Sequence, residues 1–259
     1  MTLTGGRIRS ELAHDGQVAY LTLEHGKYNI ITWETRQSIA ECFAEIDGDD
    51  RIKVVVVRAT GEHFSSGGDI AGFMEVEPID FTDLGQNVTA PARSAKPVIT
   101  AVDGYCFGVG LELALSTDIR VCTKRSEFAL PELRLGMIPG SGGTQRLGRL
   151  IGAARAKYHV MTATRINAQQ AGEWGLVASV VTDRSALEAE VERIITVLLG
   201  FSPLALRTAK EVIDRGLDAP LYSGIELERK AYAMLRSSKD FAEGVAAFTE
   251  KRAPEFQGR

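Results

Sequence analysis

Residues 96–132 read KPVITAVDGYCFGVGLELALSTDIRVCTKRSEFALPE, and this stretch decides how the rest of the chain is interpreted. It begins with an apolar strand, KPVITAV, followed by a glycine-rich turn and the start of a helix. The first backbone N–H groups of a helix have no partner inside it. Two carboxylates, Glu112 and Glu132, follow the turn. The stretch therefore predicts a functional site.

On the N-terminal side, strand and helix patterns alternate. Two apolar runs on either side of the His14–Gly16 turn predict a hairpin. Apolar residues at helical spacing predict a helix that starts behind Thr32 and ends near Gly48. The continuous β-branched run in RIKVVVVRAT, residues 51–60, is typical of a strand covered on both faces. The fold class predicted from these patterns is α/β.

On the C-terminal side, the patterns become mostly helical. A short helix is expected at Asp69, a weaker one within 81–95, and another in LELALS, 111–116. DIRVCT and EFAL look extended, and beyond Gly143 the only further strand is expected within LVASVV, 176–181. We therefore divide the chain into a core, residues 1–201, and a helical region, residues 202–259.

Composition excludes several classes of protein. The 259 residues are 44% hydrophobic and carry 30 Lys and Arg against 34 Asp and Glu, so nothing global points to nucleic acid or an anionic membrane. The cysteines Cys42, Cys106 and Cys122 have no CxxC spacing and are expected to be free and buried. No Cys/His pattern suggests a metal site, and no signal peptide or membrane span is visible. The protein is expected to be soluble and cytoplasmic.

The glycine turn does not match the common nucleotide motifs. Gly108 and Gly110 are followed by Leu113 where a dinucleotide fingerprint needs its third glycine. No phosphate loop and no G-x-S-x-G nucleophile motif is present. What remains is two loops, FSSGGD (64–69) and FGVG (107–110), which both run into helices. Taken singly, such glycines are more often turn residues. Together, two converging N–H groups would form an oxyanion hole.

Four segments in this order resemble the enoyl-CoA hydratase/isomerase, or crotonase, superfamily: FSSGGDI (64–70), KPVITAVDGYCFGVGLELALSTDIRV (96–121), FALPELRLGMIPGSGGTQRL (128–147) and DFAEGVAAFTEKR (240–252). The resemblance covers nearly the whole chain and is more specific for the family than for the reaction. It implies a spiral core of ββα units and a C-terminal helical region that completes the acyl-CoA site. It also implies assembly as a homotrimer or a dimer of trimers.

The resemblance implies roles for four residues. By position, the oxyanion N–H groups are those of Gly68 and Val109. This chain has Gly-Val-Gly where relatives commonly have three glycines, and the valine side chain is expected to narrow the site. Glu112 and Glu132 match the two glutamates of the hydratases, with Glu112 orienting water and Glu132 protonating Cα. Relatives that only shift a double bond usually lack the first acid, so the presence of both favours hydration.

Other positions are expected to bind the acyl-CoA. The loop residues that line the pantetheine and adenine in relatives correspond to Ser66, Asp69 and Ile70, whereas Ala71 stands where relatives often have Lys or Arg. Lys27 and Lys251 are candidates for the phosphates, with a solvated surface role as the equal alternative. The acyl pocket is expected to involve four apolar residues: Phe73, Met74, Leu135 and Met137.

The predicted reaction is reversible hydration of a trans-2-enoyl-CoA to a 3-hydroxyacyl-CoA. It would use no metal or redox cofactor, because coenzyme A enters as part of the substrate. Alternatives within the fold are double-bond isomerisation, retro-aldol cleavage and thioester hydrolysis. An alternative of another class is a non-catalytic or RNA-binding relative. The acidic balance and the lack of a basic stripe count against nucleic acid as a partner.

Overall fold

The computed structural model describes residues 4–5, 8–72 and 81–259. Their strands form two sheets, of seven strands in the order β1-β2-β3-β4-β5-β7-β10 and of three in the order β6-β8-β9. The strands are β1 (Thr4–Gly5), β2 (Ile8–Ala13), β3 (Val18–Leu23), β4 (Val54–Ala59), β5 (Val98–Val102), β6 (Tyr105–Phe107), β7 (Ile119–Thr123), β8 (Glu127–Ala129), β9 (Ile166–Asn167) and β10 (Ser179–Val181).

The α-helices of the described residues surround these sheets. They are α1 (Trp33–Gly48), α2 (Phe81–Val88), α3 (Val109–Leu115), α4 (Gly143–Ile151), α5 (Ala153–Thr162), α6 (Ala168–Glu173), α7 (Arg184–Leu199), α8 (Pro203–Leu217), α9 (Leu221–Arg236) and α10 (Lys239–Glu250). Short 3-10 turns follow α2 at Ala90–Arg93 and β8 at Glu132–Leu135.

The predicted N-terminal elements are confirmed. Strands β2 and β3 pair antiparallel, and the turn between them places His14, Asp15 and Gly16 at positive φ. Helix α1 begins behind Thr32, whose side chain accepts a hydrogen bond from the N–H of Thr35. This N-cap satisfies one of the free donors of the first turn.

Strand β4 lies at the centre of the large sheet, as its β-branched sequence predicts. It pairs parallel with β3 on one side and β5 on the other. One face, with Val54 and Val56, packs with Val191 and Ile195 of α7. The other face, with Val55 and Val57, belongs to the main core. Burial on both faces explains the run of four valines, residues 54–57, in this strand.

Three short strands, β1, β6 and β9, were missed by the sequence patterns. Strand β6 lies inside the glycine-rich stretch and pairs parallel with β8. Strand β9 pairs antiparallel with β8, so the prediction of a single strand beyond Gly143 is wrong. Strands of two or three residues are too short to show an alternating pattern. Helix α3 starts at Val109, two residues before the predicted start, and residues 69–71 are not helical.

The C-terminal helices are attached to the core by polar contacts. Lys210 of α8 donates to the carbonyl oxygens of Pro91 at 3.3 Å and Lys96 at 3.0 Å, and pairs with Asp118 at 2.9 Å. Helix α9 has no buried residue. Several large apolar side chains of α9 and α10 are exposed: Leu221, Tyr222, Tyr232, Met234 and Phe248. The boundary at residue 202 stays a prediction.

The three cysteines are free and buried, as expected. Among the described residues, no cluster of three or more His, Cys, Asp or Glu side chains could hold a metal ion. Within that same part of the chain, no helix is both long enough and apolar enough to cross a membrane.

Candidate active site

The two glycine-rich loops lie side by side. The loop 64–68 runs along β6: the N–H of Ser65 donates to the carbonyl of Tyr105 at 2.9 Å, and the N–H of Phe107 donates back to Ser65 at 3.0 Å. A Cβ added to Gly108 would lie 3.6 Å from the Cα of Gly67. This extra strand pairing brings Gly67 and Gly108, which are far apart in sequence, into contact.

The predicted oxyanion residues both have available N–H groups. Val109 is the first residue of α3, so its N–H has no acceptor one turn earlier in the helix. Gly68 and Ile31 form an isolated β-bridge. The hydrogen bond in this bridge runs from the N–H of Ile31 to the carbonyl of Gly67, so it does not use the N–H of Gly68. Within the described part of the chain, the N–H groups of Gly68 and Val109 donate to no carbonyl or side chain.

Close packing explains the glycines around Val109. Gly108 has φ +53°, a value that side-chain-bearing residues rarely adopt, and a Cβ on Gly110 would lie 2.6 Å from the Cβ of Ser65. Val109 is 4% exposed and packs in the main hydrophobic core. The close packing of the two glycines and the burial of the Val109 side chain therefore hold the start of α3 in place. The expected narrowing of the site by the valine side chain stays a prediction.

Glu112 is a buried carboxylate held by backbone donors. It lies on α3 and is 2% exposed. Its Oε1 accepts hydrogen bonds from the N–H of Ser141 at 2.7 Å and of Gly143 at 2.9 Å. Gly143 is the first residue of α4, so the positive end of that helix also faces the carboxylate. The two backbone donors therefore fix the position of this carboxylate.

Glu132 has a different environment. It opens the 3-10 turn after β8, and its Oε2 is buried with no hydrogen-bond partner among the described residues. Burial, with a smaller contribution from the negative charge of Glu112, raises the pKa of Glu132 to about 7. A Cβ added to Gly108 would lie 3.3 Å from its Oε1, so the carboxyl group lies against the second glycine loop.

Two carboxylates in contrasting environments are therefore brought to one pair of glycine loops. Glu112 is supported by two donors, whereas Glu132 is desolvated and titrates near neutrality. Pairs of acids whose surroundings separate their protonation behaviour are typical of acid-base catalysis. With the N–H groups of Gly68 and Val109 nearby, the arrangement can stabilise an oxyanion and move protons.

Two arginines near Glu112 were missed by the sequence patterns. Arg36 of α1 donates to Ser141 Oγ at 3.4 Å, and Arg146 of α4 donates to the carbonyl of Ser141 at 3.3 Å. Burial lowers the pKa of both guanidinium groups, and the charge of Glu112 raises it. The segment PGSGGT, residues 139–144, is part of the resemblance to the family, but the sequence patterns assign it no role. No motif distinguishes Arg36 from a surface arginine.

The predicted substrate residues divide into two groups, of which the first lies on the loops of the site. The N–H of Ser66 already donates to the carbonyl of Tyr28 at 2.8 Å. Asp69 accepts from the N–H of Gly72 at 3.3 Å, which stabilises the turn. Ile70 and Leu135 are 57% and 51% exposed, so both are available for contact.

The second group is less well connected to the glutamates. Lys27 pairs with the exposed Glu62 at 3.1 Å. Lys251 follows α10 at φ +57°, and among the described residues it makes no ion pair. Phe73, with Met74, lies outside the described residues. The phosphate role of the two lysines stays a prediction.

The chain resembles known proteins over nearly its whole length. Residues 13–259 match the family model described as enoyl-CoA hydratase/isomerase. The carnitinyl-CoA dehydratase of Salmonella typhi is 37% identical over 257 residues, covering 96% of this chain and 98% of the relative.

Solved structures also resemble this chain over nearly its whole length. An enoyl-CoA hydratase from Bacillus anthracis has a TM-score of 0.91 at 32% identity, over 98% of this chain and 100% of that one. An enoyl-CoA hydratase from Polaromonas sp. JS666 has a TM-score of 0.89 at 29% identity, over 97% and 100%. The predicted crotonase-like α/β fold with a helical C-terminal region is thus confirmed. The chain belongs to the enoyl-CoA hydratase/isomerase (crotonase) superfamily and is hydratase-like.

Proposed function

We propose that this protein catalyses the reversible addition of water to a trans-2-enoyl-CoA, giving a 3-hydroxyacyl-CoA. The observation that carries the proposal is the pair of carboxylates beside the glycine loops. Glu112 is held by two backbone N–H groups, and burial raises the pKa of Glu132 to about 7. Family membership supports an acyl-CoA thioester as the substrate.

In the proposed mechanism, the thioester oxygen accepts hydrogen bonds from the N–H groups of Gly68 and Val109. Water adds its hydroxide to Cβ and gives its proton to Glu112. The resulting enolate is stabilised by the two N–H groups and takes a proton at Cα from Glu132. Proton exchange through water then restores both carboxyl groups. The chemistry needs no metal or redox cofactor, and coenzyme A takes part only as the thioester of the substrate.

The proposal is tested with crotonyl-CoA and with longer and aromatic enoyl-CoAs. We expect the conjugated enoyl absorbance to disappear as 3-hydroxyacyl-CoA accumulates, because water addition removes the double bond. Absence of hydration across this panel would reject the proposal. Conversion of a 3-enoyl-CoA to its 2-enoyl isomer by the same preparation would then favour an isomerase.

A second candidate is the dehydration of carnitinyl-CoA, favoured by the relative of that name at 37% identity. The nitrogen of its trimethylammonium group is bonded to Cγ, two bonds away from Cβ. Arg36 and Arg146 both interact electrostatically with Glu112, so they offset the negative charge that would attract this cation. We therefore expect a higher kcat/KM for crotonyl-CoA than for crotonobetainyl-CoA, the hydration substrate that corresponds to carnitinyl-CoA. The opposite order would favour the second candidate.

The proposed oxyanion donor Val109 can be tested with proline. Val109→Pro removes the N–H at the first position of α3, where proline is tolerated because no helical hydrogen bond is lost. We expect kcat to fall by about 100- to 1,000-fold, as for the loss of one oxyanion-hole donor. Val109→Ala keeps the N–H and is the matched control. Equal kcat values for the two folded variants would contradict the assignment.

We also propose that the protein assembles as a homotrimer or a dimer of trimers. The exposed apolar side chains of α9 and α10, among them Leu221, Tyr222 and Phe248, support an interface there. Large exposed apolar patches often mark such surfaces. Sedimentation at micromolar concentration tests the proposal, and a monomer would reject it.

A further inference from the structure

Arg36 is a buried cation whose charge the fold alone does not explain. It lies on the inner face of α1 and is 6% exposed. Arginines are rarely buried to this extent unless they are paired. Arg120, at 7% exposure, illustrates the usual solution, since its guanidinium donates to the carbonyls of Leu176, Ala114 and Thr117. Arg36 instead donates to a hydroxyl, Ser141 Oγ, at 3.4 Å.

The bond from Arg36 leads directly to the site. Ser141 is 6% exposed, and its N–H donates to Glu112 Oε1 at 2.7 Å. The same carboxylate oxygen accepts from Gly143, two residues further along the loop. The position of this loop therefore determines where the carboxylate points. Arg36 contacts the loop from a helix that carries none of the predicted catalytic residues.

The electrostatic interactions of Glu112 also point to a role for Arg36. Within the described part of the chain, the charged side chains that interact with Glu112 are Arg36 from α1, Arg146 from α4 and Glu132 from the 3-10 turn. Glu132 is a second acid, so its ionisation opposes that of Glu112. Arg146 lies on α4, the helix that starts at Gly143. Arg36 supplies positive charge from a different element, α1.

We infer that Arg36 is a positioning residue for the proposed hydration. It holds Ser141 so that the N–H groups of residues 141 and 143 stay aimed at Glu112, and it offsets the negative charge of that buried carboxylate. The inference rests on the proposed function for its catalytic meaning. Arg36 need not touch the substrate.

The test compares Arg36→Met, which removes the charge at similar volume, with Arg36→Lys, which keeps it. We expect Arg36→Met to lower kcat for crotonyl-CoA by about 10- to 100-fold, because small displacements of catalytic groups are costly. KM is expected to change by less than about threefold, since thioester binding is separate.

Two further variants separate positioning from stability. Arg36→Lys keeps the charge and should restore most of the kcat that is lost in Arg36→Met. Arg120→Met, the matched buried arginine, should lower the unfolding temperature and leave kcat unchanged. An Arg36→Met enzyme with wild-type kcat would overturn the inference. If that variant does not fold, Ser141→Ala removes only the hydroxyl acceptor, and an unchanged kcat there would also overturn it.

A stability cycle distinguishes failure of this inference from failure of the proposed function. The free energies of unfolding of wild type, Arg36→Met, Glu112→Gln and the double variant need no substrate. We expect the two substitutions to be non-additive, because the guanidinium and the carboxylate interact. Additive effects would reject the coupling even in an active hydratase. Non-additivity in a protein that hydrates no enoyl-CoA would reject the function and keep the coupling.

Discussion

Replacing Glu132 by glutamine is expected to lower kcat for hydration of crotonyl-CoA by about 100-fold or more, within the range of general acid-base catalysis. Glutamine has the same shape but cannot give the proton that Cα needs. Steady-state kinetics measure the loss, and Glu173→Gln on the exposed face of α6 is the control. Near-normal turnover in Glu132→Gln would remove this residue from the mechanism.

The pH dependence gives a second test of Glu132. Its pKa of about 7, raised mainly by burial, means that it loses its proton as the pH rises through neutrality. Hydration needs the protonated form, so its kcat/KM should fall above about pH 7, whereas kcat/KM for dehydration should rise through the same region. An alkaline limb that persists unchanged in Glu132→Gln would assign the titration to another group.

Stability provides a test of Glu132 that does not depend on activity. The pKa of Glu132 is raised from 4.5 to about 7 in the folded protein, so the folded state holds this proton more tightly than the unfolded state. The resulting stabilisation is fully present below pH 4.5 and is lost as the pH rises through 7. Denaturant unfolding of Glu132→Gln should therefore show a smaller loss of free energy of unfolding between these pH values than wild type.

Glu112→Gln is the second substitution with a large expected effect, a fall in kcat of about 100-fold or more. The amide oxygen of glutamine can still accept from the N–H groups of Ser141 and Gly143, so the loop should keep its position. What is lost is the negative charge that orients water and takes its proton. Thermal unfolding checks that the fold is intact. A folded variant with near-normal kcat would exclude Glu112 from catalysis.

Hydrogen exchange at Cα separates the two glutamates. Butyryl-CoA has no double bond, so the enzyme can only remove and return its Cα proton through an enolate. We expect wild type and Glu112→Gln to exchange this proton with deuterated solvent, because Glu132 and the oxyanion N–H groups remain. Glu132→Gln should lose the exchange. Loss of exchange in Glu112→Gln alone would reverse the two roles.

Elements of ordinary length were predictable because their local patterns agree with their tertiary surroundings. Helix α1 carries an N-cap and an apolar face, and residues 54–57 of β4 are all valine because they are covered on both sides. Strands β6 and β9 were not predictable, since two or three residues show no period. Their pairing with β8 is a tertiary event, and pairing of the first loop with β6 places Gly67 against Gly108.

The sequence by itself determined the family, the two glycine loops and the pair of glutamates, because residue types at these spacings are visible in the chain. Only the tertiary structure decided that Glu112 is held by donors from residues 141 and 143, that Glu132 is desolvated, and that Arg36 lies behind the loop. Hydrogen-bond partners and burial arise between segments far apart in sequence. For that reason the protonation behaviour of the site follows from the fold and not from the motifs.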